Sequence, residues 1–292
     1  MVNIYKQISS NKRRSFFIIL FFVVFISISA YFIGYAVDNP SLLPIAIAFS
    51  AISSLGSYFY GDKIVLSLNG AIPANRQQHF DFYTVTENLC LSAKIPVPKI
   101  YVIDSEAPNA FATGRNPQNA VICATTGLLN KLNRTELEGV VAHEISHIKN
   151  YDIRLMTIVS ILIGSLSILI NMSYHSSLFR NRDSDNRSNN ILAIIGFFMI
   201  IFAPIIAQLI QLAISRRREY FADASAVMIT RQPSGLISAL QKISSDPTKF
   251  EQASTATASL YISNPFKGDK IASLFSTHPP IEDRIKALQG MM

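Results

Sequence analysis

Four stretches of the chain carry no charge and are apolar almost throughout: 15–37, 41–60, 156–172 and 191–207. At about 1.5 Å per helical residue the first is long enough to cross a hydrocarbon layer roughly 30 Å thick. It is too long and too aromatic for a cleaved signal peptide, which predicts a retained anchor. The second is less apolar, with Pro44 near its start and several serines. Asp38-Asn39-Pro40 joins the two as a tight connection.

Between 62 and 152 the pattern becomes that of a globular domain. Residues 79–91 mix apolar and polar positions at helical spacing, and 98–103 read as a strand bounded by proline and Asp104-Ser105. Residues 109–114 and 120–125 form a candidate hairpin across 115–119. A helix follows that runs almost directly into the third apolar stretch. Residues 173–190 are polar, rich in Ser and Asn, and predict a hydrophilic loop between the third and fourth stretches. Helical spacing returns near 234–244 and 281–288.

Composition agrees with a membrane protein. Only 15% of residues are charged and 49% are hydrophobic, with mean hydropathy +0.29, which is too apolar for an ordinary soluble domain. The net charge of +7 does not point to nucleic acid. Its basic clusters, Lys12-Arg13-Arg14 and Arg216-Arg217-Arg218, flank apolar stretches, and no basic helix interleaved with stacking aromatics is present. Retention of positive residues on the cytoplasmic side explains that distribution and puts both ends of the chain inside. The three arginines of 173–190 sit on the outer side in this topology and run against the rule. Cys90 and Cys123 lack metal-ligand spacing and are expected as free thiols.

The organisation that follows is a basic leader 1–14, a two-span anchor 15–61, and a catalytic domain written in two pieces, 62–152 and 215–292. A membrane hairpin, 153–214, is spliced between them.

The chemistry centres on His143-Glu144-Ile145-Ser146-His147. Residues four apart lie on one helical face, so the two imidazoles can share one ion, for which Zn²⁺ is the usual occupant. Glu144 then stands where a general base can activate a water held at the metal. Thr135 and Glu138 fit a capping box at the start of the helix. Gly139 falls on the histidine stripe, where a missing side chain admits another backbone or a substrate.

Two histidines leave a tetrahedral site one protein ligand short. His175 falls in the outer loop, and His79 reads as a surface helix residue. Gln211, Ser215, Glu219 and Asp223 recur at steps of four along a helix that continues the fourth apolar stretch. Glu219 would complete a His, His, Glu set, and Ala222, Ala224 and Ala226 would let a neighbouring helix approach. Read alone, the same acidic pair also fits a solvated face at a membrane boundary. His278 precedes Pro279-Pro280, which suits a helix start.

Taken together, His143-Glu144-x-x-His147, Glu219-x-x-x-Asp223 and Ser276-Thr277-His278-Pro279-Pro280 resemble the HtpX-type membrane zinc metalloproteases, relatives of the type I CAAX prenyl proteases. The chain has too few spans for the prenyl-substrate branch. The resemblance implies a mainly α integral membrane protein with a gluzincin-type α+β protease domain. It implies Zn²⁺ held by His143, His147 and Glu219, with Glu144 as general base. Asp223 would orient a zinc histidine and pair with Arg284, His278 would stabilise the oxyanion, and Asn109-Ala110 would line the substrate cleft. A peptide adding to the edge of the 109–125 hairpin would be recognised mainly through its backbone. Expected substrates are unfolded or misassembled membrane proteins, cleaved on the cytoplasmic side of a bacterial inner membrane in quality control or stress response. A zinc-binding scaffold without hydrolysis is the rival in another class. A small-molecule transporter is disfavoured, because the spans before residue 153 carry no charge.

Overall fold

The computed structural model of the protein describes residues 4–36, 40–178, 216–250, 256–265 and 279–292. Two apolar stretches become the long helices α1 (Ile4–Ala36) and α2 (Leu42–Leu68), both long and apolar enough to cross a membrane. The basic leader is the first part of α1 and not a separate tail, because nothing in 4–14 interrupts helical propagation. Likewise α2 does not stop at Gly61-Asp62. It ends at Leu68, where Asn69 caps it by donating its side-chain amide to Val65 O at 2.7 Å.

A four-stranded mixed sheet follows, built from β1 (Ile72–Pro73), β2 (Lys99–Ile103), β3 (Ala110–Gly114) and β4 (Ala120–Thr125), in the order β1-β2-β4-β3. The expected hairpin is present: β3 and β4 are antiparallel, Ala110 opposite Ala124 and Gly114 opposite Ala120. β2 lies parallel to β4 on the other side. Alternation along β2 and β4 sends Ile100, Val102, Ile122 and Ala124 to one core and Ile103, Val121 and Cys123 to the other. A sheet covered on both faces cannot show the hydrophobic-polar alternation of a half-exposed one, and β4 is buried throughout. Cys123 and Cys90 are buried free thiols, as expected.

One face is covered by α3 (Phe80–Ala93) and α5 (Arg134–Lys149), the latter entered through the short α4 (Thr126–Lys131). The other face meets the end of α2 and the start of α6 (Asp152–Leu178). α5 and α6 are joined through Tyr151, whose φ of 60° is left-handed, and they meet at 83°. Ile18, Phe22 and Ile26 of α1 pack against Leu155, Val159 and Leu162 of α6. α6 runs through Leu178, so the first part of the expected polar loop is helical. Residues 173–178 contain neither Gly nor Pro, and polarity by itself does not stop a helix. The rest of that loop, the fourth apolar stretch, Gln211, Ser215 and His278 lie outside the described residues.

The second piece supplies α7 (Arg216–Thr230), α8 (Pro233–Ser245) and α9 (Ile281–Gln289). Gly139 of α5 is where α8 touches. A Cβ there would stand 2.6 Å from Leu236 N, and one on Gly235 would stand 2.5 Å from Thr135 O. The missing side chain on the histidine stripe therefore admits backbone of α8.

The capping box lies two residues earlier than expected. Asn133 Oδ1 accepts from Glu136 N at 3.0 Å, and Glu136 Oε2 accepts from Asn133 N at 2.8 Å. Both registers satisfy the local pattern. Tertiary partners choose between them, because Ser238 Oγ and Lys242 Nζ of α8 donate to Glu136 at 2.6 and 2.8 Å, whereas among the described residues Glu138 has only its neighbour Arg134 at 3.5 Å.

Candidate metal centre

His143 and His147 project from adjacent turns of α5 and are 1% and 5% exposed. Their Nε2 atoms stand 3.1 Å apart. Glu219, from the first turn of α7, brings Oε2 to 3.5 Å from His143 Nε2 and Oε1 to 3.5 Å from His147 Nε2. Ala222 and Ala226 are buried on the same side of α7, and such small side chains permit the close approach to α5. Ala224 is only half buried.

The far nitrogen of each ring faces a carboxylate. Asp223 Oδ1 lies 2.8 Å from His143 Nδ1, and Asp152 Oδ2 lies 3.2 Å from His147 Nδ1. A carboxylate only accepts, so both rings donate from Nδ1. That tautomer leaves lone pairs on both Nε2 atoms, facing each other and the Glu219 carboxylate. With both rings neutral, three electron-rich atoms converge in a buried site, an arrangement that favours a cation among them, a proton or a metal ion. Two ligand atoms bound to Zn²⁺ at 2.0–2.1 Å and a tetrahedral angle stand about 3.4 Å apart. The three separations observed match that spacing, so the donor set fits zinc.

The charge balance points the same way. Among the described residues the buried groups here are the carboxylates of Glu144, Asp152, Glu219 and Asp223 against the guanidiniums of Arg218 and Arg284. With all four ionised, four against two leaves an excess of negative charge that a divalent ion offsets. Burial and the Arg284 guanidinium push the His143 imidazole down, yet the Asp223 and Glu219 carboxylates outweigh both and take it up to about 9. Positive charge is favoured at this point in the protein.

Arg284, in the first turns of α9, is fully buried. It grips Asp223 with two hydrogen bonds, Nε to Oδ2 at 2.9 Å and Nη2 to Oδ1 at 2.7 Å. The fork holds Asp223 below the usual carboxylate range although burial opposes it. Arg284 also donates to Ile262 O at 3.2 Å, tying the segment after α8 to the site. Glu144 is 2% exposed. Burial pushes its carboxyl up against the pull of both imidazoles and Arg284.

Asn109 and Ala110, read as cleft residues, are both buried. Asn109 Nδ2 donates to Ser263 O at 2.9 Å, and Ile262 N donates to Ala110 O at 2.9 Å. This stretch of the β3 edge is therefore paired with the chain's own 261–263, and Phe111 forms a bridge with Tyr261. Tyr261 OH and Thr257 Oγ1 in turn donate to Asn69 Oδ1 at the end of α2.

Asp152, which the sequence offers only as a domain boundary, joins the candidate site behind His147. The missing signal is sequence separation. Asp152 Oδ1 accepts from Asn11 Nδ2 of α1 at 2.7 Å, and the same amide donates to Asn150 O at 3.0 Å. Arg218 Nη1 lies 3.8 Å from the same carboxylate. Nothing in the spacing after His147 announces these partners.

Comparison with known proteins agrees with the geometry. Residues 77–292 match the model of peptidase family M48. The chain belongs to that family. The M48 chain is 45% identical to a protein of Dictyoglomus turgidum named "Protease HtpX homolog", over 98% of this chain and 94% of that one. It is 40% identical to a protein of the same name from Streptococcus gordonii, over 99% and 100%. The HtpX-type resemblance holds along the whole length, and the M48 chain is a protease of the metalloprotease class associated with membranes. Among solved structures, the fold is similar to the crystal structure of S. mikatae Ste24p, with TM-score 0.50 and 20% identity over 97% of this chain and 67% of that one.

Proposed function

We propose that the protein is a membrane-bound zinc endopeptidase that hydrolyses peptide bonds in unfolded or misassembled membrane proteins on the cytoplasmic side of a bacterial inner membrane. The observation that carries this reading is the convergence of both histidine Nε2 atoms and the Glu219 carboxylate with each Nδ1 already committed to a carboxylate. His143, His147 and Glu219 would hold the ion, which when bound supplies Lewis acidity and brings the pKa of a water ligand to about 7. Glu144 takes the proton and later delivers it to the leaving amine. Burial raises this carboxyl, the direction wanted of a group that must accept a proton and later return it. Asp223, fixed by Arg284, orients His143, and Asp152 orients His147.

His278, outside the described residues, is proposed to stabilise the oxyanion, where one donor is typically worth about 3 kcal/mol. Asn109 and Ala110 would position the cleft from beneath. For a peptide to add at Ala110, residues 261–263 must yield the edge. The hairpin 153–214, whether it crosses the membrane or dips back, would complete the membrane part and split the catalytic domain.

Freshly purified protein is expected to contain zinc and to hydrolyse casein in a way that a chelator abolishes and added zinc restores. Metal-free protein, or hydrolysis indifferent to chelation, overturns the reading. Zinc without hydrolysis supports the scaffold alternative.

The role of Asp152 has its own test. Asp152→Asn keeps shape but loses the anionic acceptor for His147 Nδ1, so zinc affinity is expected to fall about 10–100-fold. Competition against a chromophoric chelator measures it, and unchanged affinity removes Asp152 from the site.

A further inference from the structure

A cavity whose lining contains none of the metal-centre residues lies where the membrane helices meet the sheet. It has a volume of about 210 Å³ and is lined by Lys63, Lys99, Arg115 and Arg154, with Asp62 as its single carboxylate. Among the described residues none of these four cations takes part in an ion pair. Cations gathered around a concave space without ion-pair partners raise one another's electrostatic cost, and an anion in the space offsets it.

The arginines are held in place. Arg154 donates from Nε to Arg115 O at 2.7 Å, and its guanidinium stands over the rings of Tyr58 and Tyr151. Arg115 stands over Phe59. With Nε committed, the terminal nitrogens of Arg154 remain to grip an oxyanion, and a preset guanidinium fork suits phosphate. The floor of the cavity is tight: a Cβ on Gly61 would stand 2.6 Å from Thr157 Cγ2, so α2 and α6 touch there. Thr157 Oγ1 lies 2.8 Å from Thr113 Oγ1 and accepts from Gly114 N, tying the end of β3 to α6.

Three helices set the depth of this cavity independently. Asp62 and Lys63 are the first charges after the apolar part of α2. Arg154 is the last charge before the apolar part of α6. On α1, Lys12 closes the basic cluster onto the same Tyr151 ring, 4.5 Å from its centre. Phe59 and Tyr60 are exposed beside the cavity, where aromatic side chains mark a membrane–water boundary. A phosphate held at that depth is within reach of a lipid.

We propose that this cavity binds the phosphate headgroup of an anionic phospholipid, which clamps the sheet's β3 end onto α2 and α6. The proposal rests on α1 and α2 being spans and not on the metal chemistry, so its failure leaves the protease reading standing.

The test uses full-length protein in detergent, titrated with phosphatidylglycerol or phosphatidylcholine, with binding read by native mass spectrometry and the melting temperature followed in parallel. Phosphatidylglycerol is expected to bind more tightly and to raise the melting temperature. Each basic side chain near an anionic lipid surface contributes about 1 kcal/mol, or about fivefold in affinity. Arg115→Gln with Arg154→Gln, and separately the exposed pair Lys63→Gln with Lys99→Gln, should each weaken phosphatidylglycerol roughly 25-fold. Replacing Arg13 and Arg14, which lie outside the cavity, should change it much less. The Lys63/Lys99 pair decides the matter if the arginine pair fails to fold. Equal affinity for the two lipids, or wild-type affinity in the Lys63/Lys99 variant, overturns the proposal. Inorganic phosphate at millimolar concentration raising the melting temperature as far as the lipid does would assign the cavity to free phosphate and overturn the lipid.

Discussion

Glu144→Gln is expected to cut casein hydrolysis by about 10³-fold, within the range typical of a lost general base, while zinc content stays unchanged. Gln has the shape of Glu but cannot take a proton, so the exchange separates proton transfer from metal binding. The site makes the separation clean. Glu144 is buried beside both imidazoles, Glu219 and Arg284, in surroundings already rich in negative charge. Burial is the largest influence on this carboxyl, so replacing it with a neutral amide relieves more desolvation than it loses in attraction to the imidazoles, and the fold is expected to survive with an unchanged or higher melting temperature. The measurement pairs metal analysis with turnover of an unstructured substrate on the same preparation. Undiminished turnover would remove Glu144 from the mechanism. Loss of zinc together with activity would make it a holder of the metal instead.

The same residue shows what the sequence made legible. His143, Glu144 and His147 are one helical turn, and Glu219 and Asp223 another, so fixed spacing within a single element exposed them. The β3–β4 hairpin was legible for the same reason, its strands being separated only by a short turn. What spacing cannot carry is the choice of partner across elements. The parallel pairing of β2 with β4, the selection of Asn133 over Thr135 as helix cap, and the Asn11–Asp152–His147 chain all depend on groups brought together by the fold. Asn11 illustrates the limit. It sits among lysines and arginines that read as a membrane flank, and only the docking of α1 beside the α5–α6 junction turns it into a donor to the carboxylate behind a histidine of the candidate metal site. Burial of Asn109 against Ser263 is of the same kind, since residues 154 positions apart leave no local trace.

Glu219→Ala is expected to weaken zinc binding by more than about 100-fold, because a direct ligand counts for more than the outer partners whose loss costs 10–100-fold. No substitute stands nearby. Among the described residues His143, His147 and Glu219 form the only group whose donor atoms all lie within 4.8 Å of one another. Asp223 and Asp152 already accept from the two Nδ1 atoms, and Asp223 is further held by Arg284. The variant thus loses a ligand and one negative charge together, while the Asp223–Arg284 fork that joins α7 to α9 stays intact. Stability measured in chelator should therefore stay close to that of the parent, and the difference should emerge on adding metal. A ligand present at 100 times its dissociation constant stabilises the folded state by about 2.7 kcal/mol, so zinc should raise the parent's melting temperature and leave that of Glu219→Ala nearly unmoved. An equal zinc-induced rise in both proteins would place the third ligand elsewhere. A variant already unstable in chelator would make the Glu219 carboxylate a structural partner of the arginines beside it before it is a ligand.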